Sequence, residues 1–147
     1  MERHDAEQPG IASSLYRRLP VDWWQSAKKK NTLHLIPLSF FMPKKADADG
    51  LSVSQAGISS IEVASTSART GNRLCLAEFP TAKATDRGLT IEPKPTAHDP
   101  GHAVILELNH LDRQDPVREA VMEEHAEAIA SAATLAWTPN QLEAEPD

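Results

Sequence analysis

The most regular pattern of apolar and polar positions lies near the C-terminus of the chain. Asp115 followed by Pro116 has the form of an N-cap residue and a proline at the first position of a helix. Apolar side chains then recur at helical spacing along one stripe, which consists of Met122, Ala126, Ile129, Ala133 and Trp137. The pattern predicts a helix from Pro116 to Trp137 that packs on a sheet through this stripe.

Shorter apolar runs, bounded by Gly, Pro and polar residues, predict strands. They cover residues 33–36, 38–41 (after an interruption at Pro37), 51–54, 73–79, 89–92 and 102–108. Residues 58–64 fit either a strand or a helix, and residues 81–87 fit a helical turn that Gly88 closes. Polar stretches at 43–50 and 65–71 are predicted loops.

Residues 11–19 are predicted to form a short helix. Ile11, Leu15 and Leu19 recur every four positions, and Pro20 follows as a stop signal.

The predicted fold is an α+β domain with a small mixed or antiparallel sheet and the long C-terminal helix packed on it, because strands outnumber helices and the one long helix comes last. A chain of 147 residues that is 40% apolar suits one domain with one core, which we assign to residues 11–138. Residues 1–10 and the acidic residues 139–147 are expected to be disordered.

The composition predicts a cytoplasmic protein. Cys75 is the single cysteine of the chain, so no internal disulfide can form, and its apolar surroundings predict a small buried side chain. The N-terminus has no apolar signal-peptide core, and no stretch approaches the roughly 20 apolar residues that a membrane span needs. We therefore expect neither secretion by a standard signal nor insertion in a membrane.

The charge is divided unevenly along the chain. Residues 1–45 carry eight Lys/Arg against four Asp/Glu, whereas the rest of the chain carries seven against seventeen. A binder of polyanions normally has a more extensive basic surface, so nucleic acid is possible as a partner but not favoured. The basic segment contains a candidate contact surface for a protein partner, which consists of Trp23, Trp24, Lys28, Lys29 and Lys30. The alternative is an ordinary exposed basic loop after two anchoring indoles.

Two polar turns lead directly into apolar runs, and any site is most plausible there. They are Asp47-Ala48-Asp49-Gly50-Leu51-Ser52-Val53 and His98-Asp99-Pro100-Gly101-His102-Ala103-Val104-Ile105. Residues 49–53 and 99–105 within them, together with residues 88–93, resemble a group of small uncharacterised bacterial proteins that carry a DGLSV segment and a downstream HA-x-I segment. The resemblance implies a bacterial cytoplasmic origin and one shared domain, and it brings no known activity.

The histidines suggest a metal site that their spacing then argues against. His98, His102 and His110 lie near Asp99 and Asp112, and imidazole with carboxylate suits zinc. However, a turn separates the first two histidines, and the third lies roughly 25 Å further along a strand. We predict that His102 instead hydrogen-bonds backbone at the start of its strand, and we predict no metal and no cofactor.

A hydrolytic site can be composed from Ser52, Asp49 and His102, which supply a hydroxyl, a carboxylate and an imidazole. Ser52 is not in a G-x-S-x-G elbow, and the ordinary role of Asp49-Gly50 is a tight turn.

A nucleotide site is a further possibility. Arg17 and Arg18 could clamp phosphates while Tyr16 stacks on a base. Small toxin-like enzymes that transfer ADP-ribose use an early Arg, a central hydroxyl-bearing strand and a late polar strand, and Arg17, Ser52 and His102 follow this order. No glycine-rich phosphate loop accompanies them, and surface ion pairs of the two arginines are the alternative.

Two functional hypotheses follow from the sequence. The first is a small bacterial accessory protein that binds a partner and has no catalytic activity of its own. The alternative is a small nucleotide- or NAD-handling enzyme of the toxin-like transferase kind, with Arg17, Ser52 and His102 in its site. Convergence of these three side chains in one pocket favours the enzyme, whereas their placement at separate sites favours the accessory protein.

Overall fold

The sheet of this protein has six strands, all antiparallel to their neighbours, in the order β4-β5-β2-β1-β3-β6. The computed structural model describes residues 10–139. Its strands are β1 Ser14–Leu19, β2 Leu51–Gln55, β3 Cys75–Pro80, β4 Ile91–Pro93, β5 His102–Ile105 and β6 Thr134–Trp137. Its helices are α1 Val21–Lys30, the 3₁₀ helix Leu38–Phe41, α2 Ile61–Ser65, α3 Ala82–Thr85, α4 His110–Arg113 and α5 Pro116–Ala132. The predicted α+β class is confirmed.

The long helix α5 packs on the sheet as predicted. The Asp115 carboxylate accepts the Val117 N–H at 3.2 Å and caps the first turn. Met122, Ala126 and Ile129 are buried in the main core. This face of α5 covers the sheet because its apolar spacing matches the helical period.

The predicted end of this helix at Trp137 is wrong. Ala133 already has extended backbone angles, and the chain continues as β6, where Trp137 pairs with Leu76 on β3. Pairing with β6 satisfies backbone groups along the edge of β3 that a longer helix would leave without partners, and it hides the Trp137 ring.

The predicted helix over residues 11–19 is also wrong, because this segment contains β1. Leu15 and Leu19 are both fully buried on one face of the strand. A spacing of four residues places side chains on the same side of both a helix and a strand, so it does not distinguish the two.

The strands predicted at residues 33–36 and 38–41 are replaced by turns and the 3₁₀ helix. Pro37 precedes this helix with extended backbone angles, and Phe41 inserts into the core with its ring 5.6 Å from that of Phe79. The other predicted strands are present with shifted ends, and β5 stops at Ile105, where the chain turns back. Residues 58–64 contain a helix, α2, and Gly88 closes the predicted turn α3 with a φ of +84°.

The two faces of the sheet differ in how far they are covered. One face meets α1, the 3₁₀ helix and α5 and forms the main core. The other face carries a small cluster of Tyr16, Leu76 and Trp137, which Ala64 of α2 covers. Because α2 is short, the part of this face around Ser52 and His102 lies beside an open cleft.

The expectations of disorder for residues 1–10 and 139–147 fall almost entirely outside the described residues. Within residues 10–139, no helix combines the length and the hydropathy that crossing a membrane requires.

Candidate functional site

The sheet splits between β1 and β2. These strands pair at Leu15↔Gln55 and Tyr16↔Ser54, and beyond that point β1 keeps its partners in β3 while β2 keeps its partners in β5. A cleft of about 610 Å³ opens at the split. The side chains that carry chemistry along its wall belong to Tyr16, Arg17, Arg18, Asp22, Lys44, Asp47, Ser52, Ser54 and His102.

Arg17 occupies the split itself. Its Nη1 donates to the Ser52 carbonyl at 2.8 Å and its Nε donates to the Phe40 carbonyl at 3.0 Å. Its side chain is 12% exposed, and its Nη2 lies 3.5 Å from Asp47 Oδ2. Burial lowers the pKa of this guanidinium, and the neighbouring Asp47 carboxylate opposes that shift. Arg17 thus provides the donor that β1 no longer offers to Ser52.

Asp47 is the buried acid of the site. Its carboxylate accepts the Lys44 N–H at 2.8 Å and the Ser52 N–H at 3.2 Å, and its carbonyl accepts the His110 N–H at 3.1 Å. From the sequence, Asp47 is one residue of a predicted polar turn, and Asp49 is the predicted candidate carboxylate. Asp49–Gly50 has the stronger turn signature, and no local signal marks Asp47 as the residue that becomes buried.

Asp49 lies outside the cleft. Its side chain is 77% exposed and its Oδ2 is 3.4 Å from the Lys94 ammonium. Gly50 beside it is required by close packing, because an added Cβ would lie 2.7 Å from the Ile105 carbonyl oxygen, and its φ is +148°. The three side chains proposed for a hydrolytic site are therefore not assembled, since Ser52 and His102 line the cleft without Asp49.

His102 and Ser52 reach the cleft from neighbouring strands. His102 stands directly opposite Ser54 in the β2–β5 register. Ser54 is two residues after Ser52 on β2, and side chains two residues apart on a strand share a face, so all three side chains lie on one face of the sheet. His102 Nδ1 lies 2.9 Å from the Lys94 carbonyl oxygen, which confirms the predicted backbone hydrogen bond. Because a carbonyl oxygen only accepts, Nδ1 carries the hydrogen of this bond, and Nε2 of the neutral ring keeps a lone pair.

A second buried aspartate, Asp99, supports the same two strands. Asp99 accepts hydrogen bonds from the hydroxyls of Ser54, at 2.5 Å, and Ser59, and from the Gly101 N–H at 3.2 Å. A Cβ on Gly101 would lie 2.2 Å from Ser59 Oγ, so the turn before β5 has no room for a larger residue. This network joins β2, β5 and the start of α2.

The remaining charged groups make the cleft locally positive. Arg18 is exposed and its Nη1 donates to the Ala64 carbonyl at 3.3 Å. Burial lowers the pKa of the Lys44 ammonium, and the positive charges of Arg17 and Arg113 add to this shift. Tyr16, proposed to stack on a base, is only 8% exposed because it belongs to the cluster under α2. Burial, reinforced by the charge of Glu78, raises the pKa of this phenol.

The candidate contact surface lies on helix α1 rather than on a loop. Trp24 is buried in the main core, and the Lys28 ammonium lies 4.9 Å from its ring centroid. Trp23 packs edge-on against Phe40, with ring centroids 5.6 Å apart. Neighbouring helical residues point in different directions, so Trp24 turns inward and does not contribute to an exposed surface. Lys28, Lys29 and Lys30 are exposed at the end of the helix.

The three histidines considered as metal ligands are held at separate places. His98 Nε2 contacts the Thr66 carbonyl oxygen at 3.1 Å, and His110 begins α4. Among the residues that the structure describes, no group of three or more His, Cys, Asp or Glu is arranged to hold a metal ion.

Comparison of the chain with protein-family models, curated proteins and solved structures finds no match in any of the three.

Proposed function

We propose that this protein is a small NAD-handling enzyme that binds NAD in the cleft between β1 and β2 and transfers its ADP-ribose part. The observation that carries the proposal is that Arg17, Ser52 and His102, from three different strands, all line one cleft. That all three residues line one cleft favours the enzyme over the accessory protein.

The size and charge of the cleft support a nucleotide ligand. A volume of about 610 Å³ lies within the range of roughly 300–1,000 Å³ that small-molecule sites occupy. The charge of Arg17 is balanced by Asp47, which leaves Arg18 and Lys44 as positive groups toward a pyrophosphate, against one acidic residue, Asp22. Arginine and lysine are the side chains that bind phosphate oxygens best.

The proposed reaction breaks the bond between the nicotinamide nitrogen and C1′ of its ribose. Nicotinamide leaves with the bonding electron pair and becomes neutral, because its ring nitrogen is positively charged in NAD. An acceptor oxygen, from water in the simplest case, forms the new bond to C1′ and releases a proton. We assign His102 Nε2 as the atom that accepts a hydrogen bond from a ribose hydroxyl or takes the proton from the acceptor oxygen. Its other ring nitrogen, Nδ1, is already bound to the Lys94 carbonyl oxygen.

Ser52 and Arg17 have supporting roles in this proposal. The Ser52 side chain lines the cleft beside His102, where its hydroxyl can bond the ribose. Arg17 holds the Ser52 backbone and thereby the position of that hydroxyl. Asp47 is already paired with Arg17, so its carboxylate is not free to act as the base.

The test is to incubate the purified protein with NAD and to measure binding by calorimetry and nicotinamide release by chromatography. We expect binding and slow hydrolysis, and we expect His102→Ala to lower the rate of nicotinamide release by about 10²–10⁴-fold. His98→Ala is the matched control, because His98 also contacts a backbone carbonyl but lies outside the cleft. Wild-type protein that neither binds nor cleaves NAD would refute the proposal.

The accessory-protein hypothesis keeps one supporting observation, which is the exposed row of Lys28, Lys29 and Lys30. This surface is separate from the cleft, so a partner bound there is compatible with an enzyme and is tested independently below.

A further inference from the structure

We infer that Asp47 is a positioning residue of the cleft, which fixes the Arg17 guanidinium and the Ser52 backbone on the two sides of the split. Its expected effect on the cleavage of NAD rests on the proposed function. The fixing itself is a property of the ligand-free protein and can be measured without NAD.

Ser52 is the residue at which the missing β1 partner matters most. Continuing the register from Tyr16↔Ser54 would place Arg18 opposite Ser52, but the strands have diverged there. In an antiparallel ladder, both polar groups of such a residue point toward the same neighbouring strand. At Ser52 the N–H is accepted by Asp47 Oδ1 at 3.2 Å, and the carbonyl accepts from Arg17 at 2.8 Å. The Arg17–Asp47 pair thus replaces the absent strand on both polar groups.

Both oxygens of the Asp47 carboxylate are engaged. Oδ1 accepts from Ser52, whereas Oδ2 accepts the Lys44 N–H at 2.8 Å and lies 3.5 Å from Arg17 Nη2. No other acidic side chain contacts Arg17 within the part of the chain that the structure describes. Without the Asp47 charge, a nearly buried guanidinium keeps two carbonyl acceptors and loses the anion that compensates its desolvation. We expect it to become mobile, together with the Ser52 side of the cleft.

Asp47→Asn is the variant that tests this role. The asparagine has the same shape, but it is uncharged and has one carbonyl oxygen to share among the Ser52, Lys44 and Arg17 donors. We expect the separate NMR signals of a fixed Arg17 guanidinium to merge through rotation. We also expect the rate of nicotinamide release to fall by about 10²-fold, because a displacement of about 1 Å of a group that positions the substrate has an effect of this size.

Asp115→Ala is the matched control. It removes an aspartate that caps α5 and accepts the Val117 N–H, and it lies outside the cleft. We expect this variant to unfold at a lower temperature while the Arg17 signals and the rate of nicotinamide release stay unchanged. A merely structural role of Asp47 would produce the same result as this control.

The outcomes separate the inference from the proposed function. Wild-type Arg17 signals in folded Asp47→Asn would overturn the inference, whether or not NAD is a substrate. Wild-type protein without NAD binding would refute the function, and the Arg17 signals would still decide the role of Asp47. If Asp47→Asn does not fold, Asp47→Glu keeps the charge and displaces the carboxylate by one methylene. We then expect altered Arg17 signals, and unaltered signals in that variant contradict the inference.

Discussion

The Ser54 hydroxyl donates to the buried carboxylate of Asp99 at 2.5 Å, although the two residues are 45 positions apart in the chain. Ser59 donates to the other oxygen of the same carboxylate. The contact ties β2 near its end to the turn that precedes β5, on the face of the sheet that carries Ser52 and His102. The two strands that carry Ser52 and His102 therefore depend on one acidic residue.

Asp99→Ala should lower the free energy of unfolding by about 2–5 kcal/mol, because two serine hydroxyls and the Gly101 N–H lose their acceptor in a buried setting. Denaturant unfolding measures this change. Asp86→Ala is the control, because Asp86 is exposed at the end of α3, and we expect an effect within about 0.5 kcal/mol. Equal stability of the two variants would contradict the role of Asp99.

Ile129→Asp should destabilise the protein by several kcal/mol, because Ile129 is fully buried and an unpaired carboxylate there has no compensating partner. Val121→Asp introduces the same charge on the same helix at a position that is 47% exposed, and its midpoint should hardly move. Thermal unfolding of both variants checks the prediction. An unchanged midpoint for Ile129→Asp would show that this face of α5 does not pack on the sheet.

Replacing Lys28, Lys29 and Lys30 together with alanine should weaken binding to a partner or an acidic polymer, and the loss should be largest at low salt. Retention on an immobilised polyanion at two ionic strengths measures this effect. A variant lacking Lys45, Lys83 and Lys94 loses the same charge elsewhere and is the control. Identical elution of the two variants at both ionic strengths would assign the Lys28–Lys30 row to ordinary solvated surface.

The stability of the fold should decrease as the pH falls below the usual histidine range, and His125 should contribute to this decrease. Burial and the nearby charge of Arg87 lower the pKa of His125 below its usual 6.5, and its Nδ1 accepts a hydrogen bond from Arg87 Nε at 2.9 Å. The unfolded chain therefore binds the proton first, so this stabilisation is complete above pH 6.5 and is lost as the pH falls through the lower folded pKa.

His125→Gln tests this dependence, because the glutamine carbonyl can still accept from Arg87 but does not titrate. Melting temperatures at pH 8 and pH 5 give the comparison. We expect the drop between the two to be smaller in the variant, and an equal drop would assign the acid sensitivity to other groups.

The elements that the sequence determined by itself are those whose signals lie within a few residues. The cap at Asp115, the proline after it and the stripe through Ile129 define α5 locally, as Gly88 defines the end of α3. His102 belongs to the same group, since the Lys94 carbonyl that its ring contacts lies only eight residues earlier, just after β4. In each case the hydrogen-bond partner is close in the chain, so the residue types are sufficient to predict it.

Only the tertiary structure decided that residues 14–19 and 134–137 are strands, because their apolar spacing suits a helix equally well and the neighbouring strand β3 supplies the partners. The same holds for the site. Arg17 and Ser52 are 35 residues apart, and Asp47 rather than Asp49 becomes the buried acid because the split sheet leaves Ser52 without a partner in β1. Hydrogen bonds between strands join residues that are distant in the chain, and the place where such bonds are missing also depends on distant residues. A local pattern of residues therefore predicts neither.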